Sequence, residues 1–332
     1  MISREEFFMA EQVKSSAALH MVHKKSLSVR LKENWQMYVF LTIPIIWLAI
    51  FKYYPMYGVQ IAFRDYEIKL GITGSPWVGF FNFVRFFKSY ELDRTLGNTL
   101  FLSIVGTCVS FPIPIFFALL LNSVRSKKWK GVVENITYMP HFISTVVLVG
   151  MMKRIFDINT GMIHNVVANF GVNFHTDLFA GGTHFRWLYI CSGVWQGTGW
   201  GSIIYMAALS GVDPELHEAA TIDGASRWAR VRYIDFPTIL PTIVTMLILA
   251  AGGVMGIGFD KAYLMQNDTN LATSEVIATY VYKVGFGVGN AQGGTTNFSY
   301  SSAIGMFNSV VNLIMVTTVN RISRAVSGSS IW

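Results

Sequence analysis

The sequence predicts an all-α membrane protein with six transmembrane helices and both termini in the cytoplasm. Three observations carry this reading. Of 332 residues, 52% are hydrophobic and only 14% charged, with a mean hydropathy of +0.42, whereas soluble domains carry about 25% charged residues. That much apolar surface exceeds what a soluble core hides, so the bilayer is the natural solvent. Six apolar stretches approach the ~20 residues a spanning helix needs. Basic residues are unevenly divided between alternate connecting segments, as the positive-inside rule requires.

Residues 1–36 are polar and hold Arg4, Lys14, Lys24, Lys25, Arg30 and Lys32. They read as a cytoplasmic N-terminal tail. The apolar run that follows is long and aromatic, with no small-x-small cleavage site after it, so a signal peptide is not expected. Residues 37–322 form the six-helix domain, with spans at 37–54, 96–121, 136–152, 187–209, 238–259 and 303–320. Residues 323–332 form a cytoplasmic C-terminal tail. Pro44 falls inside the first span and Pro112 and Pro114 inside the second, where they mark kinks that neighbouring helices can accommodate.

With the N-terminus inside, segments 1–36, 122–136, 210–237 and 321–332 hold 15 Lys and Arg, and the longer external segments 55–96, 155–186 and 261–302 hold 8. The net charge of +7 therefore reflects topology, and nucleic acid is not an expected partner; membrane lipid is. Cys108 and Cys191 both lie in apolar runs, so no disulfide framework is implied. His141, His164, His175, His184 and His217 show no metal-ligand spacing.

Segment 210–237 falls on the cytoplasmic side and carries the most information. Asp213 is placed to cap a helix, Pro214 to occupy its first position, and Glu215 and Glu218 lie near the positive end of its dipole. Gly224 breaks that helix, and Ser226 caps a second one running toward Pro237. Arg227, Arg230 and Arg232 keep the segment out of the bilayer, and Ala219 and Ala220 leave a smooth face for another protein. The expectation is a short helix-turn-helix lying flat at the membrane surface.

Glu218-Ala219-Ala220, Gly224, Ile234 and Pro237 at these spacings resemble the signature loop of binding-protein-dependent ABC importer permeases, with Phe236 standing where that loop has Leu. The run from Lys52 through Arg64-Asp65-Tyr66 to Trp77 and Gly79 resembles the opening of the oligosaccharide and polysaccharide branch of that family. The segments 278–285, 298–309 and 320–324 agree with it. The resemblance covers nearly all of residues 35–332.

It implies a maltose-permease-like fold in the bacterial cytoplasmic (inner) membrane. It also implies a second permease subunit, two ABC ATPase subunits that bind ATP and Mg, and an extracytoplasmic solute-binding protein. The chain itself would be a non-catalytic subunit with no cofactor of its own. Glu218, Ala219, Ala220, Asp223, Gly224, Ile234 and Pro237 would couple it to the ATPases. The substrate would be an oligosaccharide, with acidic ones such as alginate fragments among the possibilities. No Gly-x-x-x-x-Gly-Lys-Ser/Thr sequence is present, so the energy comes from a partner chain.

Neutral polar residues stand out inside the spans. Asn308 and Asn312 share a helix face. Together with Trp195, Gln196, Trp200 and Tyr205 they form a candidate sugar path, with interhelical hydrogen bonding and aromatic anchoring as the alternative role. Gly193, Gly197 and Gly201, and Gly252 and Gly256, have the spacing of close helix packing, within the bundle or against the second permease, with a hinge role as the alternative. The span centres hold essentially no ionisable residue, with Lys52, Lys153, Arg154 and Asp260 near their ends. That argues against the rival reading, a stand-alone secondary carrier. A membrane scaffold without transport is the third possibility. Segments 155–186 and 261–302 would offer the docking surface for the solute-binding protein.

Overall fold

The computed structural model describes residues 32–170, 177–253, 256–289 and 294–327. Most of the two expected tails, and His175, lie outside these residues. Among the described residues all regular structure is helical, save one antiparallel bridge between Arg64 and Trp77. The chain divides into two compact units, Met1–Val59 and Gln60–Trp332.

The described part of the first unit is one apolar helical run. Helix α1 (Trp35–Leu48) contains Pro44 and continues through a π turn, Ala49–Tyr53, into Tyr54–Met56. Its side chains from 32 to 57 are all exposed, and a helix apolar on every side without protein cover is suited to lipid. The π turn has a local cause. Pro55 cannot donate a backbone hydrogen bond, and its ring crowds the carbonyl four residues earlier. The ladder widens ahead of it, and Tyr54 N–H donates to Ala49 O.

The second unit is built from α2 (Tyr90–Asn122), α3 (Lys127–Tyr138), α4 (Thr145–Ile155), α5 (Gly182–Leu209), α6 (Pro214–Ile222), α7 (Arg227–Gly252), α8 (Phe259–Met265), α9 (Ile277–Phe286) and α10 (Phe298–Ser327). The α5 helix packs along α2 and also meets α3 and α7, while α10 packs against α7 and α9. Three apolar clusters hold the unit together. One joins Leu102, Leu148, Phe185 and Met265; the second joins Ile115, Tyr205, Leu209 and Ile239; the third joins Phe86, Tyr280, Tyr300 and Ile304.

Four described helical stretches are long and apolar enough to cross a membrane: Trp35–Phe63, Tyr90–Asn122, Arg227–Gly252 and Phe298–Ala325, or five if one bent pair counts as a span. The bent pair stands where the third span is expected over 136–152. Lys127–Phe142 and Thr145–Ile155 meet at 97°. Pro140 sits in the closing 3-10 turn, Ile143 is extended, and the Ser144 hydroxyl caps the new helix by accepting from Val147 N–H at 3.4 Å. The expected fourth span is the 28-residue α5, about 42 Å long. It is long enough, but its glycines, Arg186, Gln196 and hydroxyl residues hold its hydropathy below that of the other four. The expected fifth span ends early, at Gly252 rather than 259.

Gly199 shows why α5 and α3 pack so closely. A Cβ there would lie 2.2 Å from the Thr137 carbonyl oxygen. Gly201 faces Pro114 at 3.2 Å, and Gly252 faces Val316 at 3.6 Å. Gly197 has nothing of this chain within 4 Å.

Candidate functional sites: a capped knuckle and a lysine-bearing cavity

The α6–α7 junction is assembled from its sequence signals one by one. Asp213 Oδ1 accepts from Glu215 N–H at 3.0 Å and Pro214 opens the helix. At the other end Ala225 N–H donates to Ala220 O at 2.9 Å and Gly224 N–H donates to Thr221 O at 3.1 Å. These paired bonds make a Schellman ending, which places residue 224 in the left-handed region, and Gly224 has φ +76°. Ser226 Oγ then accepts from Ala229 N–H at 3.2 Å and starts α7.

Side chains fix the angle between the two helices. Arg230 NH1 donates to Thr221 Oγ1 at 2.7 Å, and His217 Nε2 lies 3.1 Å from Asp235 Oδ1. Asp235 is 3% exposed. Glu218, Ala219, Asp223 and Gly224 are exposed, Ala220 and Ile234 are half-buried, and Pro237 is exposed on α7. Around them Leu216, Ile222, Trp228 and Tyr233 are left uncovered, Ile222 at 86%.

The expected second surface helix ending at Pro237 is corrected here. The helix begun at Ser226 runs through Pro237 to Gly252 as one 26-residue stretch. Pro237 is accommodated by a π turn, Val231–Asp235, in which Phe236 N–H donates to Val231 O. A force applied at the knuckle is therefore applied to the end of a long helix.

The six sugar-path candidates separate. Gln196 Nε2 donates to Ile143 O at 2.8 Å and lines a cavity of about 340 Å³. Asn312 Nδ2 donates to Gly252 O at 2.7 Å, joining α10 to α7. Tyr205 is buried in the second apolar cluster. Trp200 stacks on His141 at 4.5 Å, nearly parallel. Trp195 is exposed, and the Asn308 side chain is half-buried on α10.

Lys261 falls in the external segment expected after a fifth span that reaches 259. Instead the chain leaves α7 early, and α8 packs against α4 and α5. Lys261 Nζ donates to Tyr189 O at 2.9 Å, lies 4.7 Å from the centre of the Tyr189 ring, and sits 3.4 Å from where a Gly193 Cβ would be. It shares the 340 Å³ cavity with Ser103, Thr107, Ser110 and Gln196.

A second, larger cavity of about 660 Å³ is lined by Glu91, Arg94, Lys153, Glu275 and Lys283. Glu275, 3% exposed, pairs with the Arg94 guanidinium and with Lys283 Nζ at 2.9 Å. Among the described residues no cluster of three His, Cys, Asp or Glu side chains is arranged to hold a metal.

The fold and the capped knuckle define a class: a helical membrane protein with several apolar spans and an exposed, doubly capped helix between two of its long helices. Residues 110–328 match the family described as binding-protein-dependent transport system inner membrane component. The chain belongs to that family. It is 38% identical over 312 residues to the polygalacturonan/rhamnogalacturonan transport system permease protein YteP of Bacillus subtilis (strain 168), covering 93% of this chain and 94% of the relative. It is also 38% identical to protein LplB of the same organism, over 89% of this chain and 90% of that one. Its structure superposes on a chain in the crystal structure of a bacterial ABC transporter involved in the import of the acidic polysaccharide alginate. The TM-score is 0.81 with 35% identity, covering 91% of this chain and all of the other. A second structure, of the bacterial alginate ABC transporter in complex with alginate pentasaccharide-bound periplasmic protein, matches equally well, with a TM-score of 0.81, 34% identity and 92% of this chain covered.

Proposed function

We propose that this chain is one of two permease subunits of an ATP-driven importer for acidic oligosaccharides. Its spans number six, counting the bent pair α3–α4 and helix α5, with both termini in the cytoplasm. Residues 37–322 are the permease domain and 210–237 its coupling loop. A second permease completes the pathway, two ATPases bind ATP and Mg, and a solute-binding protein docks on the segments around 155–186 and 266–302. Relatives named for galacturonan and alginate transport support an acidic sugar as the cargo.

The observation that carries this reading is the knuckle. An exposed, doubly capped helix bearing Glu218-Ala219-Ala220 is pinned by the His217–Asp235 contact to the root of a long apolar helix. Uncovered Leu216, Ile222 and Trp228 supply the apolar area a docking partner would bury. Closure of the ATPases on ATP would move this knuckle, α7 would move with it, and the pathway would change the side to which it opens.

The test uses the four-subunit complex in proteoliposomes with its binding protein. Uronate-loaded binding protein should stimulate ATP hydrolysis, and E218K should abolish the stimulation while leaving α6 folded, since Glu218 is exposed. Transport of sugar by the chain alone, without ATP, would replace this reading with that of a secondary carrier.

A further inference from the structure

Among the described residues lining the 340 Å³ cavity between α2, α5 and α8, Lys261 is the one charged side chain. A volume of this size is at the small end of ligand pockets. The ammonium has three donors. One is spent on the Tyr189 carbonyl at 2.9 Å, and among the described residues no carboxylate pairs with the amine. The flanking groups Ser103, Thr107, Ser110 and Gln196 are neutral and polar.

Depth matters too. Tyr189 and Gly193 lie about 10 to 16 Å along α5 from its start at Gly182. The amine is therefore held against the body of α5, away from its frayed start. A half-buried ammonium on the wall of a polar cavity, with no carboxylate beside it among the described residues, is placed to meet an anionic ligand. Gly193 strengthens the point. With no side chain there, Nζ has room beside α5, and a Cβ would be 3.4 Å from it.

We propose that Lys261 reads the carboxylate of the sugar in transit and so selects acidic over neutral oligosaccharides. A uronate oxygen takes the place of the missing acidic partner, while the hydroxyls of Ser103, Thr107 and Ser110 and the Gln196 amide meet the sugar hydroxyls. This inference rests on the acidic-oligosaccharide reading above and names the residue that enforces it.

The experiment measures uptake of galacturonate and mannuronate trisaccharides, and of their methyl esters, by the reconstituted complex with its binding protein. Each variant is compared with wild type on the same sugar, which cancels the preference of the binding protein. K261M should lower uronate uptake tenfold or more, spare the uncharged esters within about twofold, and still assemble with all its partners on size exclusion. K261R, which keeps the charge, should retain uronate uptake within about threefold of wild type. Wild-type uronate uptake that K261M leaves intact would overturn the role of Lys261 alone. An equal loss on esters and acids, failure of K261M to assemble, or a K261R defect as deep as that of K261M, would assign the residue to packing. A wild-type complex that imports no uronate at all would overturn both the acidic-substrate reading and this one.

Discussion

His217 and Asp235 meet across the α6–α7 junction, Nε2 to Oδ1 at 3.1 Å, and the carboxylate is nearly sealed from solvent. The two residues are 18 apart in sequence, one on α6 and one near the start of α7. On the proposed reading the contact would pass movement of α6 to α7. Removing the imidazole leaves a buried carboxylate short of a partner, which costs about 1.5–3 kcal/mol. H217A should loosen α6 and lower binding-protein-stimulated ATP hydrolysis about tenfold in the assembled complex, with a smaller effect on unstimulated hydrolysis. Equal loss of both rates would mean that the pair serves assembly and not coupling.

Gly224 presents a separate test, since its role is conformational. At φ +76° a β-branched residue is strained, by about 1–2 kcal/mol, and the Ala225–Ala220 and Gly224–Thr221 bonds that end α6 are lost with the turn. Nothing lies within 4 Å of a Cβ at this position, so crowding is not a competing cause. G224V should weaken capture of the ATPases by several fold in a pull-down, and G224N, which tolerates the left-handed region, should keep most of it. Equal retention by both variants would show that the Schellman ending is dispensable.

The knuckle was legible in the sequence because its determinants are local. Asp213, Gly224 and Ser226 act on backbone groups within a few residues, so residue type and spacing are enough to place them. The π turns before Pro55 and Pro237 have an equally local cause, a missing donor, but whether a helix bends, breaks or widens depends on what packs beside it. Apolar run length located the helices of spans one, two and six well. It did not reveal the 97° bend of the third, where Pro140 and Ser144 turn the run, or the end of α7 at Gly252 and Gly253 inside the expected fifth. Lys261 was missed for that second reason. Hydropathy assigns a lysine after an apolar run to the surface, and only the tertiary return of α8 to α5 brings it inside. Gln196 was found as a polar residue in a span, yet its partner, the Ile143 carbonyl, lies at the bend that the sequence did not reveal.

Glu275 joins segments that are distant in the chain. Its carboxylate holds Arg94 on α2 and Lys283 on α9, and its backbone carbonyl accepts from Asn98 Nδ2 at 3.0 Å. Truncating the anion leaves Lys283 without its carboxylate and Arg94 with Glu91 alone, and breaking a buried pair costs up to about 3–5 kcal/mol. E275A should lower the melting temperature of the purified complex by several degrees. E275Q, which can still accept hydrogen bonds, should lose roughly half as much. An unchanged melting temperature in E275A would show that solvent in the adjoining cavity compensates the charges.

Gly197 and Gly199 stand two residues apart on α5 with opposite surroundings, and they give the sharpest stability contrast in the protein. A methyl at 199 would enter the Thr137 carbonyl, 2.2 Å from its oxygen and 2.4 Å from its carbon. The obstacle is backbone, so no side-chain rotation relieves it. Either α3 withdraws or α5 shifts, and overpacking of this kind costs about 1–3 kcal/mol or more. At 197 the methyl meets nothing within 4 Å, while alanine favours the helix over glycine by about 0.5–1 kcal/mol. G199A should therefore melt several degrees below wild type and G197A at or slightly above it. If the spacing of four that links Gly193, Gly197 and Gly201 marked packing within the bundle, the ranking would be the reverse, with the packing role at 197 and none at 199. Thermal unfolding of the two variants in detergent decides between them: a G197A defect as large as that of G199A would place the α3 contact on the wrong face of α5.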